Sequence, residues 1–181
     1  MGTNESMNIR WLSHWRQNSD VAPMVLGKDC RVPIEKRCGS GTGNDRMVHA
    51  LGAKAQYPNQ RVLVVSAGSA LVVDLVVSGV LMGGLIGLGW NRYQKAMKSL
   101  NANLSTTELD VSYPGLETPE AVSLGWKLSV KTLIDQLLSC EKVDQMLITG
   151  GDAGLLKKEY PEAEVNPFLG IDALAQAFGY A

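Results

Sequence analysis

An α/β fold is predicted by three features of the chain. Residues 62 to 89, VLVVSAGSALVVDLVVSGVLMGGLIGLG, hold apolar, β-branched runs joined by small-residue turns, as adjacent buried strands do. Residues 118 to 138 open on Thr118-Pro119-Glu120 and then repeat apolar residues at broadly helical spacing. From 146 to 158 a short apolar run meets Gly150-Gly151-Asp152-Ala153 and a helical pattern, giving the order strand, glycine turn, helix.

Composition narrows the functional class. A chain of 181 residues can bury a substantial core in one domain or two small lobes. With 45% hydrophobic and 19% charged residues it is not a disordered polypeptide. The formal net charge of −1 gives no general attraction to nucleic acid or to anionic membrane surfaces, so small-molecule chemistry is the expected class. Cys30, Cys38 and Cys140 are odd in number and lack CxxC spacing, and no hydrophobic signal peptide opens the chain, a pattern expected of reduced thiols in the cytoplasm. His14 and His49 form no ligand pattern and read as surface or packing residues.

The elements follow in order. A short helix is expected over Ile9 to Gln17, then an apolar extended piece at Val21 to Leu26 and another at Val32-Pro33-Ile34. Cys38 to Asn44 is a small-residue loop feeding a helix over Asp45 to Ala53. The first N–H groups of such a helix lack intrahelical partners and suit an anion, while Asp45 could equally be a simple cap. Strands are expected near 62 to 66, 70 to 77 and 80 to 86. The glycine-containing bend at Ala67-Gly68-Ser69 lets backbone amides approach a phosphate closely, and a hairpin with no ligand is the competing reading. A membrane span through this stretch is disfavoured, because Asp74 at the bilayer centre would cost roughly 3 kcal/mol and Ser78-Gly79 interrupts it as a turn.

A helix over Asn91 to Leu100 should expose Lys95 and Lys98. In the long helix from 118, threonine suits the N-cap, proline the first turn and Glu120 the positive helix end. Gly125 permits close packing or ligand approach. Met146 to Thr149 is the next strand, and the GGD turn after it is either an amide cradle for a nucleotide or a plain tight turn with an aspartate cap.

Taken together, Gly43-Asn44-Asp45-Arg46, Ala67-Gly68-Ser69-Ala70 with Asp74, Gly83-Gly84-Leu85-Ile86 with Gly89, Thr118-Pro119-Glu120-Ala121 and Thr149-Gly150-Gly151-Asp152-Ala153 resemble, in order and spacing, the motifs of the type III pantothenate kinases. Those motifs are GxDR, DxGTA followed by TxD, GGxIxPG, TxxA and TGGDA, and the resemblance covers roughly residues 30 to 181, including a closing segment from Asn166 to Leu174. It implies an actin-like ATPase (ribonuclease H-like) lobe with a mixed sheet flanked by helices, divided into a remnant of a first lobe at 1–58 and a second lobe at 59–181.

The resemblance also implies roles. The family phosphorylates pantothenate with ATP and magnesium at the start of coenzyme A synthesis, in the cytoplasm and as a homodimer with a shared site. Asp45 matches its general base, Gly43, Asn44, Asp45 and Arg46 its pantothenate-contacting stretch, and Thr118 a substrate contact made from the neighbouring subunit. Gly68, Ser69, Gly150, Gly151 and Asp152 match nucleotide contacts.

Departures qualify this. The aspartate that helps hold a monovalent cation, potassium or ammonium, is Ser66 here, and a neutral hydroxyl is a poor cation partner. Val72 and Leu88 replace the threonine of TxD and the proline of GGxIxPG. Asp74 could hold a cation, order the hairpin or pair with a buried basic group, the first two being favoured. No DxGNT phosphate loop occurs in Met1 to Arg37, so most of a first lobe is expected to be missing and this polypeptide alone to be a poor kinase. A catalytically inactive metabolite-binding or regulatory homologue and an unrelated α/β module are the alternatives.

Overall fold

The structure is a computed structural model that describes residues 5–179. Six strands form one mixed sheet: β1 Glu35–Lys36, β2 Arg61–Ala67, β3 Ala70–Val77, β4 Val80–Leu88, β5 Gln145–Thr149 and β6 Glu164–Val165. Their order is β1-β4-β3-β2-β5-β6. The pairs β2–β3 and β3–β4 are antiparallel, whereas β1–β4, β2–β5 and β5–β6 are parallel. Six helices accompany the sheet: α1 Glu5–Asn18, α2 Asn44–Gln56, α3 Trp90–Leu100, α4 Thr118–Glu141, α5 Ala153–Lys157 and α6 Leu169–Ala177.

The period-two alternation of the central strands decides which helix covers which face. Leu63, Val65 and Ala67 of β2, Leu71 and Val73 of β3, and Met146 and Ile148 of β5 pack with Trp126, Val130 and Ile134 of α4. On the other face Val62, Val64, Val76 and Leu147 pack with Ala50 and Ala53 of α2 and Leu169 of α6. Each fully buried aliphatic side chain in these layers contributes about 1.5–3 kcal/mol relative to exposure, so the two clusters carry the fold. Among the described residues no helix is long and apolar enough to cross a membrane.

The expected strands and helices are present, with the two-residue β6 unforeseen and four further differences. Val21 to Leu26 joins no strand of the sheet. Leu26 instead bridges Cys30 across a turn in which Gly27 has φ +87° and its amide donates to the Cys30 carbonyl at 2.7 Å, closing the stretch on itself. The residue before α4 is Glu117, so Thr118 is the first helical residue and not the N-cap. The Glu120 carboxylate accepts from the amides of Leu116 (2.8 Å) and Glu117 (3.3 Å), which fixes the start one residue early. The strand β1 has only two residues and no apolar signature. Between Leu75 and Val76 the β3–β4 register slips, leaving Met82 unpaired beside Gly83 with φ +125°.

Candidate functional site

The first group of site residues is built on the start of α2. Gly43 precedes the helix, and its carbonyl accepts from Met47 at 3.2 Å. Asn44 donates from Nδ2 to the Leu26 carbonyl at 3.0 Å, tying the helix start to the preceding turn. Asp45 is exposed, with its carboxylate folded against Gly43, where a Cβ would stand 2.5 Å from Oδ1. Arg46 points down to the sheet and donates from Nε to both oxygens of Asp74, at 3.2 and 3.0 Å, and from Nη2 to Oδ1.

Asp74 thus takes the role that the sequence reading favoured least, pairing with a basic group. The physical reason is its parity. Residues 72, 74 and 76 of β3 share the face covered by α2, and Asp74, 3% exposed, meets the guanidinium there. Hydrogen bonding to Asp74 raises the Arg46 pKa, against the opposing effect of burial, and Cys38 and Asp45 add weaker attraction. His49, one turn after Asp45, has its pKa lowered by burial against α6, where a Cβ on Gly170 would stand 3.2 Å from the ring. It is a packing residue, as its isolation in the sequence implied.

The loop before α2 is ordered by its own polar groups. Thr42 Oγ1 donates to the Gly39 carbonyl at 2.7 Å and lies 3.1 Å from Cys38 Sγ, and Lys36 Nζ donates to the Gly39 carbonyl at 2.7 Å.

The second group gathers at one end of the sheet. Gly68-Ser69 turns β2 into β3, Gly89 leads β4 into α3, and Gly150-Gly151-Asp152 leads β5 into α5. These three turns touch. The Asp152 amide donates to the Ala67 carbonyl at 3.0 Å, and the Gly89 amide to the Ser69 carbonyl at 3.3 Å. A Cβ on Gly89 would stand 1.7 Å from the Gly68 carbonyl oxygen and one on Gly150 2.2 Å from that of Ala67. Ser66, opposite Val72 on β3 and Thr149 on β5, completes the cluster. The indole of Trp126 braces it by donating to the Leu88 carbonyl at 3.0 Å.

The structure therefore brings Gly43, Asn44, Asp45, Arg46 and Asp74 together, and separately Ser66, Gly68, Ser69, Gly150, Gly151 and Asp152. Five residues along β3 separate Asp74 from Ser69, roughly 17 Å at strand rise. Thr118 joins neither group. It is exposed at the start of α4, on the opposite face of the sheet from α2. Gly84 was not singled out by itself in the sequence, yet it lies directly opposite Asp74 in the ladder. The signal available was the pairing of a glycine with the only acid in the strands 62 to 89.

A potassium site does not fit the residues present. Asp74 is already neutralised by a guanidinium, and Ser66 contributes no charge.

Comparison with known proteins bears on this arrangement. The family profile for type III pantothenate kinase matches residues 3–139. The chain is 30% identical over 164 residues to a type III pantothenate kinase of Caulobacter vibrioides, covering 83% of this chain and 61% of that protein. It is 29% identical over 149 residues to that of Porphyromonas gingivalis, covering 76% of this chain and 61% of the relative. The chain thus spans about three fifths of the length of these curated relatives. Among solved structures, a Baf family protein from Campylobacter jejuni described as a transcriptional activator superposes with a TM-score of 0.70 at 19% identity, over 99% of this chain and 80% of that one. A Sinorhizobium meliloti protein described as a 2-dehydro-3-deoxygalactonokinase gives 0.51 at 15% identity, over 75% and 60%. The fold is that of the actin-like and sugar kinase ATPases, and the chain belongs to the type III pantothenate kinase family.

Proposed function

We propose that this chain forms part of a kinase that transfers the γ-phosphoryl group of ATP to the primary hydroxyl of pantothenate in the cytoplasm. The observation that carries this reading is the start of α2, where an exposed carboxylate, Asp45, adjoins a guanidinium that Asp74 holds in place. In the reaction the substrate oxygen bonds to the γ-phosphorus, the bond from that phosphorus to the β–γ bridging oxygen breaks, and ADP leaves. Asp45 takes the hydroxyl proton, and Arg46 binds the pantothenate carboxylate. The amides at Gly68-Ser69 and Gly150-Gly151-Asp152 are the nucleotide contacts, supported by their convergence at one end of the sheet. Magnesium would enter with ATP and neutralise phosphate charge. Among the described residues no cluster of three acidic, histidine or cysteine ligands awaits it.

On this reading residues 1–58 belong to a first lobe and 59–181 to a second. Thr118 serves the site of a second copy in a homodimer, in keeping with its distance from α2 within one chain.

A second reading is favoured by Ser66, Val72 and Leu88, three replacements inside the nucleotide end of the sheet. These suit a homologue that binds pantothenate or a related metabolite without transferring phosphate. An assay of ADP release with ATP, magnesium and pantothenate, run beside direct pantothenate binding, separates the two. The kinase reading expects pantothenate-dependent turnover once the first lobe of a relative is joined to the chain, and expects Asp45→Asn to lower it by about 100-fold or more without loss of fold. Binding without turnover in that extended protein selects the second reading, and turnover undiminished in its Asp45→Asn variant removes Asp45 as the base.

A further inference from the structure

We propose that Asp74 and Gly84 form a positioning unit for Arg46, aiming its free edge at the carboxylate of a bound acid and so making the site selective for an anionic ligand over its neutral analogue. The identity of the acid rests on the pantothenate reading; the geometry does not.

Asp74 is a costly residue at its place in β3. Its neighbours on the same face, Val72 and Val76, are apolar and buried, and a third aliphatic side chain would pack there without a charge to desolvate. What a carboxylate adds is direction. It engages Arg46 through both Nε and Nη2, a two-point contact that fixes the guanidinium plane as well as its position. The Nη1 group has no partner among the described residues, and a guanidinium carries five N–H donors in all. The opposite edge of the fork therefore remains available for a second carboxylate. The Arg46 side chain keeps 15% of its surface exposed, against 5% for Asp74, so access is from the Arg46 side of the pair.

Gly84 makes this possible. It is the ladder partner of Asp74, and a Cβ there would stand 2.6 Å from Asp74 Oδ1 and 1.9 Å from the Val73 carbonyl oxygen. Any side chain at 84 would displace the carboxylate or part the strands. The three sequence motifs around Arg46, Asp74 and Gly84 are thus one device spread over α2, β3 and β4. Asp45, exposed on the same helical turn, stands beside the ligand that Arg46 would hold.

The test has two readouts on the full chain. The first is the Arg46 side-chain Nε–H signal in nitrogen-15 NMR, assigned by its loss in Arg46→Lys. It should exchange slowly with solvent and couple across the hydrogen bond to the Asp74 carboxyl carbon in the native protein, and lose its protection in Asp74→Asn. The second is calorimetric affinity for pantothenate and for pantothenol, whose CH2OH replaces the carboxylate. Asp74→Asn should weaken pantothenate binding by about tenfold or more and change pantothenol binding less than about twofold. An Nε–H signal that exchanges freely in the native chain overturns the proposal even if the Asn variant does not fold. So does equal weakening toward both ligands, which is the result of a purely structural role. A protected Nε–H signal together with no pantothenate binding by the native chain would leave the positioning intact and remove pantothenate as the ligand.

Discussion

The amide of Asp152 donates to the carbonyl of Ala67 at 3.0 Å, so the turn after β5 and the turn after β2 are a single structure although their first glycines, Gly68 and Gly150, lie 82 positions apart in the sequence. Gly150 permits that contact twice over. Its φ of +97° is strained for an L side chain, and a Cβ would stand 2.2 Å from the same Ala67 oxygen. Gly150→Ala is expected to destabilise the fold by about 2 kcal/mol or more, read as a lowered urea midpoint at unchanged slope. A midpoint equal to that of the native protein would show that the two turns do not depend on each other.

The larger hydrophobic layer has a single aliphatic residue of α4 at zero exposure, Ile134, packed against the strand residues of one sheet face. Ile134→Ala should cost about 2–5 kcal/mol, and Ile134→Val about 0.5–1.5 kcal/mol, by chemical denaturation. Equal losses for the two would mean that the space left by alanine collapses and that α4 is less firmly seated than its contacts indicate.

His49 gives the fold a dependence on acidity. Burial holds its pKa below the ordinary 6.5, against weaker pulls from Asp45 and Asp74, whereas the unfolded chain restores the ordinary value. Between the folded pKa and 6.5 the unfolded state binds the extra proton, so stability declines as pH falls through that window and is fully present above it. Denaturation midpoints measured from about pH 8 to about pH 5 should show this decline, and His49→Gln should flatten it. An unchanged slope in the variant would assign the decline to carboxylates elsewhere.

Potassium should leave the native chain indifferent. With Asp74 paired to Arg46 and a hydroxyl at Ser66, replacing sodium by potassium at constant ionic strength is expected to shift Tm by less than about 1 °C. Ser66→Asp places a carboxylate beside Thr149 and Val72 and should create a potassium-dependent rise in Tm. A clear potassium effect on the native protein would show that neutral donors alone suffice.

Much of this fold was legible in the residues. The runs between 61 and 88 read as strands because their β-branched content and the small-residue turns between them agreed, while Asp74 and Ser78-Gly79 spoke against a membrane span. The start of α4 was visible within one residue, since proline and Glu120 both belong to a first turn, while the cap itself was hidden by the competition between Glu117 and Thr118. The strand β1 was not visible, because two residues held by a neighbouring strand need no pattern of their own. At the site, the glycine turns and the α2 start were each readable as local motifs. The bond from Arg46 to Asp74 crosses 28 residues and depends on which face β3 turns toward α2, a property of the assembled layers that no local spacing contains. The equivalence of Gly84 to a space reserved for the Asp74 carboxylate has the same origin.

The brevity of β1 has a practical consequence. It covers β4 only at Val80 and Leu81, and among the described strands nothing pairs with the outer edge of β4 from Met82 to Leu88, where Ile86 and Leu88 are 63% and 51% exposed. That edge lacks the lysine or proline with which strands commonly discourage pairing between molecules. In concentrated solution it is the seam along which chains would stick to one another, so a lysine introduced at position 86 is the first change to make when the protein must be kept dispersed.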